Sequence, residues 1–101
     1  MVNIKLEGEK VRTEKLYCIG YSSKLDKYLL SCVVPWHLWY NRYYEITKKE
    51  YENFDSDTSE LDMFVDYLHK KSYESERFLF SDMVKENNDS QAKMKAIAES
   101  I

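Results

Sequence analysis

The sequence predicts an α+β fold: a small antiparallel sheet of three or four strands, packed on one face by two or three helices. Three observations carry this expectation. Apolar, β-prone runs crowd residues 16–46, and apolar residues at helical spacing replace them after residue 47. The 101 residues, 44% of them hydrophobic, suffice for one core, so the chain reads as a single domain over 1–101. With two glycines and one proline, collagen-like and low-complexity classes are excluded.

Val2 and Ile4 alternate with polar neighbours and allow a short edge strand within the otherwise polar residues 1–14. Leu16–Ser22 and Lys27–Val34 read as the two arms of a hairpin around Ser23-Lys24-Leu25-Asp26. A three-residue loop, Lys24 to Asp26, sets Cys18 opposite Cys32; a slip of one residue sets it opposite Ser31. Pro35 closes the second arm, because it has no N–H for a ladder. Beyond it, Trp36 to Ile46 is rich in rings. As a strand it puts Leu38, Tyr40, Arg42, Tyr44 and Ile46 on one face, and Trp39, Asn41, Tyr43 and Glu45 on the other.

Thr47 and Glu50 have capping-box spacing, so a short helix starts there and runs to about Phe54. Asp57 and Glu60 mark a second start. Leu61, Phe64, Val65 and Leu68 then form one apolar stripe, closed by Lys70 and Lys71 at the negative end of the helix dipole. Arg77–Phe80 reads as a short buried strand, Lys85–Asp89 as a loop, and Ser90 onward as a terminal helix through Met94, Ile97 and Ile101. The predicted order is β-β-β-α-α-β-α.

The net charge of −3 is unevenly spread. Residues 1–44 carry seven Lys/Arg and four Asp/Glu, a local +3. Residues 45–69 carry eight acids and two lysines, a local −6. Such a block repels phosphate backbones and attracts basic proteins, so direct nucleic-acid binding is not expected. Cys18 and Cys32 have no metal-ligand spacing, and no run of 18 apolar residues or N-terminal apolar leader occurs. The chain therefore reads as a soluble cytoplasmic protein with reduced thiols, no membrane segment, no metal and no cofactor.

Candidate chemistry is sparse. His37 and His69 lie in no paired spacing, the two cysteines fall inside apolar strands, and Gly8 and Gly20 cannot build a phosphate loop. With no converging base, nucleophile and oxyanion donor, an enzyme is not expected. A binding module is. Trp39, Tyr40, Tyr43 and Tyr44 offer contact area of the kind that dominates interfaces, with Trp36 beside them.

The run YLLSCVVPWHLWYNRYYEITKKEYENF (Tyr28–Phe54) and the later RFLFSD (Arg77–Asp82) resemble small immunity proteins of contact-dependent growth inhibition and related polymorphic toxin systems. The resemblance implies a cytoplasmic antidote that binds one cognate protein toxin domain, commonly a basic nuclease, and occludes its active site or substrate groove. That family shares no set of functional residues, so none is carried over. On physical grounds Asp55, Asp57, Glu60, Asp62 and Asp66 are expected to steer and pair with a basic partner, supported by Glu50 and Glu52. Asp62 and Asp66, four apart and off the apolar stripe, are expected to form an exposed ridge. The alternative is a small structural or regulatory subunit that docks through its aromatic face into a larger assembly or a homodimer. Monomer and homodimer both remain open at this point.

Overall fold

A computed structural model describes residues 4, 6–34, 39–71 and 75–99, with only the backbone of residue 71. The expectations for Val2, Pro35, Trp36, His37, Leu38 and Ile101 lie outside the described residues. The architecture is α+β. Strands β1 (Glu7–Arg12), β2 (Tyr17–Ser22), β3 (Lys27–Val34) and β4 (Tyr40–Ile46) lead into helices α1 (Lys48–Asn53) and α2 (Ser59–Lys71). Strand β5 (Phe78–Ser81) and helix α3 (Asp89–Glu99) follow. The sheet has five antiparallel strands in sequential order β1-β2-β3-β4-β5, more than the three or four expected.

The additional strand is β1. Its sequence, EGEKVR, is too charged to read as a strand. It forms because pairing to β2 satisfies backbone groups that burial would otherwise orphan. Gly8, at φ +61°, makes the bulge that lets Glu7 and Lys10 keep their pairing with Tyr21 and Ile19. Gly20 lies opposite this bulge, where a Cβ would stand 2.7 Å from the Leu6 Cβ.

The β2–β3 loop spans the four residues Ser23–Asp26, with Ser22 paired to Lys27 and Asp26 left-handed at φ 54°. Ser22 Oγ accepts the Leu25 N–H at 3.3 Å. This register sets Cys18 opposite Ser31, and Cys32 opposite Tyr17. The two cysteines thus fall on opposite faces of the sheet, and both are free thiols.

Two cores flank the sheet. On the first face Tyr17, Ile19, Leu30, Cys32, Tyr44, Ile46 and Phe78 meet Leu61, Val65 and Leu68 of α2. On the second, Leu29, Tyr43, Leu79 and Phe80 meet Ala98 and Met94 of α3, with Ile4 and Leu6 from the N-terminal segment. The helices are therefore divided two and one between the faces rather than gathered on one. The expected alternation along β4 holds: Tyr44 and Ile46 belong to the first core and Tyr43 to the second.

The helix starts follow local chemistry. Thr47 Oγ1 accepts the Glu50 N–H at 3.1 Å and Glu50 Oε1 accepts the Thr47 N–H at 2.8 Å, a complete capping box. Asp57 Oδ1 instead accepts the Ser59 N–H at 2.9 Å, and the Thr58 carbonyl accepts the Asp62 N–H. The expected loop at Lys85–Asp89 begins inside a 3₁₀ turn, Val84–Glu86. Asn87 then uses its side-chain amide as a short substitute strand, accepting the Ser81 N–H at 2.7 Å and donating to its carbonyl at 2.9 Å. Both edges of the sheet are thereby guarded, β1 by a bulge and charges, β5 by Asn87.

Candidate functional site

The residues expected to form one contact surface separate into three environments. Along α1, the α1–α2 connection and α2, Glu52, Asp55, Asp57, Glu60 and Asp66 are exposed. Two of them reach back: Asp55 accepts from Lys10 of β1 at 2.9 Å, and Asp66 pairs with Lys15, in the turn between β1 and β2, at 3.7 Å. The Lys15–Asp66 pair is exposed on both sides and contributes little to stability, whereas Lys10, 18% exposed, also donates to the Tyr51 carbonyl and leaves only the Asp55 carboxylate facing water. Trp39, just before β4, is 66% exposed, so its ring is available for contact.

Two of the expected acids are engaged internally. Asp62 does not join Asp66 in an exposed ridge. It turns inward, where it accepts Arg12 Nε at 3.3 Å, Arg12 Nη2 at 3.2 Å, the Tyr17 hydroxyl at 2.8 Å and the Thr58 hydroxyl at 3.2 Å. The Arg12 guanidinium, above all, holds the Asp62 carboxyl below the usual aspartate range. Glu50 is half-buried: it closes the capping box and accepts Arg77 Nη1 at 2.8 Å. Burial pushes its carboxyl up, but the Thr47 N–H and Arg77 outweigh this and leave it lowered.

The tyrosines need the larger correction. Tyr43 and Tyr44 are 4% and 1% exposed and supply no contact area. Adjacent residues in a strand point to opposite faces, and here both faces are covered. Tyr43 stacks on Phe80 at 4.8 Å, while Tyr44 meets Phe78 edge-on at 5.7 Å. Burial pushes both phenols above their ordinary range. Tyr40 is half-buried, its hydroxyl donating to Glu86 Oε2 at 2.8 Å and accepting Arg42 Nη2 at 3.0 Å. Arg42 also holds Glu86 through Nε at 2.9 Å and Nη2 at 2.6 Å, a forked pair nearly sealed from water.

Sequence reasoning missed a further feature. Val11, Leu16, Cys18, Ser31, Val33 and Asn41 line a groove of about 220 Å³ on the second face of the sheet, in its β1–β2–β3 quarter. Val11 is 61% and Leu16 42% exposed. The sequence signal was slight: Val11 is a lone apolar residue between Lys10 and Arg12. Beside the groove, Cys18 donates to Glu9 Oε2 at 3.5 Å, and burial followed by the Glu9 charge pushes its thiol up to about 12. Across the sheet Cys32 Sγ lies 3.9 Å from His69 Nε2. Burial holds that thiol at about 11, so this pair contains no thiolate nucleophile at neutral pH.

Among the described residues no cluster of three or more His, Cys, Asp or Glu side chains could hold a metal, and no helix is long and apolar enough to cross a membrane. The geometry offers contact surfaces: an acidic helical face, an exposed indole and an apolar groove. No family model, curated protein or solved structure matches this chain.

Proposed function

We propose that this protein is an immunity-type antidote that acts in the cytoplasm, binding a basic toxin domain of the nuclease kind and occluding its substrate groove. One observation carries the reading: Glu52 on α1, Asp55 and Asp57 in the α1–α2 connection, and Glu60 and Asp66 on α2 all stand exposed. A nuclease must bind a polyanion, so its cleft is basic, and an acidic face of this kind speeds encounter and competes for the same charges. The permanent-subunit alternative is left with less, because Tyr43 and Tyr44 are spent inside the chain and Trp39 is the main exposed ring of the set.

The test is to look for a toxin domain encoded beside this gene and to co-express the two, read as growth rescue, followed by binding kinetics on the purified pair. The absence of any such neighbour counts against the reading. Replacing Glu52, Glu60 and Asp66 by lysine is expected to lower the association rate at least tenfold and flatten its salt dependence. Asp62 is left intact because its reversal would disturb folding. No rescue, or an association rate indifferent to these charges and to salt, would refute the proposal.

A further inference from the structure

We propose that Met63 and Tyr67 of α2 form the apolar anchor of the partner interface, and that they seat an apolar spot of a protein surface bordered by Lys or Arg. The inference rests on the reading that the partner is a basic protein. It assigns to α2 the grip that the buried Tyr43 and Tyr44 cannot supply.

The helix period keeps Met63 out of the core. Leu61, Val65 and Leu68 are buried in the first core, and Met63 falls on the opposite side of α2, where it is 71% exposed. Tyr67, four residues on, shares that side and is 48% exposed. Its ring stacks with Phe64 at 6.5 Å, and Phe64 packs against the core and carries the Arg77 guanidinium at 4.8 Å. A single exposed apolar side chain is ordinary, but here a thioether and a phenol stand side by side with a second ring behind them. Methionine adapts its shape to a partner and tyrosine brings a large rigid area, which is why both are enriched at interfaces.

The charges around this ridge define its occupant. Glu60 and Asp66 stand three residues before and after Met63, so both border it within one turn, and both are exposed. Glu60 makes no ion pair among the described residues, and Asp66 holds Lys15 in the exposed pair at 3.7 Å. Toward the α1–α2 connection the border continues in the exposed Glu52, Asp55 and Asp57. Among the described side chains the nearby cations are Lys70, exposed one turn beyond Asp66, and Arg77, held by Glu50 at 2.8 Å. The border is therefore acidic at the start of α2 and basic near its end. A partner places its cations toward the α1–α2 connection and its apolar residue on Met63 and Tyr67. The carboxylates speed encounter, and the apolar contact, once closed off from water, slows release.

The test is a titration of the full chain, labelled with ¹⁵N and with ¹³C at the methionine methyls, against three short peptides: tryptophan flanked by lysines, tryptophan flanked by glutamates, and glycine flanked by lysines. The first should shift the Met63 methyl and the Tyr67 amide saturably, and the other two should bind about tenfold more weakly or worse. Met63→Ser, at an exposed position and with its fold checked by circular dichroism, should weaken the first peptide about tenfold, read at the Tyr67 amide. Val11→Ser, on the other face of the sheet, should leave its affinity within about twofold. An unchanged affinity in Met63→Ser, shifts confined to the acidic residues, shifts at Val11 and Leu16 instead, or equal binding of the glutamate-flanked peptide would each overturn the inference. So would concentration-dependent shifts of the Met63 methyl without peptide, which would put a second copy on the ridge. Growth rescue with a silent Met63 methyl removes this inference and leaves the antidote reading standing. A saturable ridge without rescue does the reverse.

Discussion

Glu86→Ala probes the joint between β4 and the turn after β5. Arg42 and Glu86 side chains are 11% and 10% exposed, and the carboxylate accepts two bonds from Arg42 and one from Tyr40. Removing it leaves a guanidinium and a phenol that burial has cut off from water. A fully buried pair broken from one side costs 3–5 kcal/mol; the residual exposure, and room for water in the vacated space, place this site at the lower end, about 3 kcal/mol. For a domain of this length that corresponds to a fall in Tm of roughly 12 °C or more. Glu86→Gln keeps the shape and one acceptor, so it should cost about half as much. Thermal and urea unfolding followed by circular dichroism measure both, and a cycle with Arg42→Met isolates the coupling, expected near 2 kcal/mol. A Tm for Glu86→Ala within about 2 °C of the parent, or a coupling near zero, would show that the fork holds nothing together and that the reasoning from burial fails here.

Acid should destabilise the protein through the same group. Burial raises the Glu86 carboxyl, but the bonds from Arg42 and then Ser81 and Tyr40 leave it below its ordinary 4.5, as Thr47 and Arg77 do for Glu50. A lowered folded value means the stabilisation is complete above about pH 4.5 and lost as pH falls through the folded values. Urea midpoints measured from pH 7 to pH 3 should show this loss, with a shallower slope in Glu86→Gln. Gly8→Ala should cost about 1–2 kcal/mol in urea unfolding, because φ is +61° and the new Cβ would sit 2.5 Å from the Tyr51 hydroxyl that donates to Gly8 O. Both thiols should react slowly with a thiol-disulfide probe at pH 7.5 and speed up sharply in denaturant, since burial holds Cys32 at about 11 and Cys18 at about 12. Mild oxidation of the folded chain should yield no Cys18–Cys32 disulfide, and mass spectrometry of the unreduced protein checks it.

Much of the fold was legible in one dimension because the forces involved are local or periodic. The capping box at Thr47 and Glu50 is a contact between residues three apart, and it forms as its spacing predicts. The stripe Leu61, Phe64, Val65 and Leu68 needs only the helix period to find a core, and three of its members are buried there. The alternation along β4 is likewise a property of strand geometry, and it sorted Tyr43 from Tyr44 correctly. What alternation leaves undecided is whether a face is covered, because cover comes from an element elsewhere in the chain. Helix α3 supplies it for Tyr43, and α2 for Tyr44.

The same limit governs the candidate site. Composition showed that residues 45–69 are acidic, and this follows from the sequence alone. Which carboxylates remain free depends on cations far away in sequence: Arg12 claims Asp62 across fifty positions and Arg77 claims Glu50 across twenty-seven. The hairpin register turned on a single left-handed residue, Asp26, which lengthened the loop and parted the cysteines to opposite faces. Local spacing thus determined the helices, the main strands and the sign of the surface. Tertiary packing decided which rings and carboxylates face water, because that choice depends on the separation in space of groups that the chain keeps far apart.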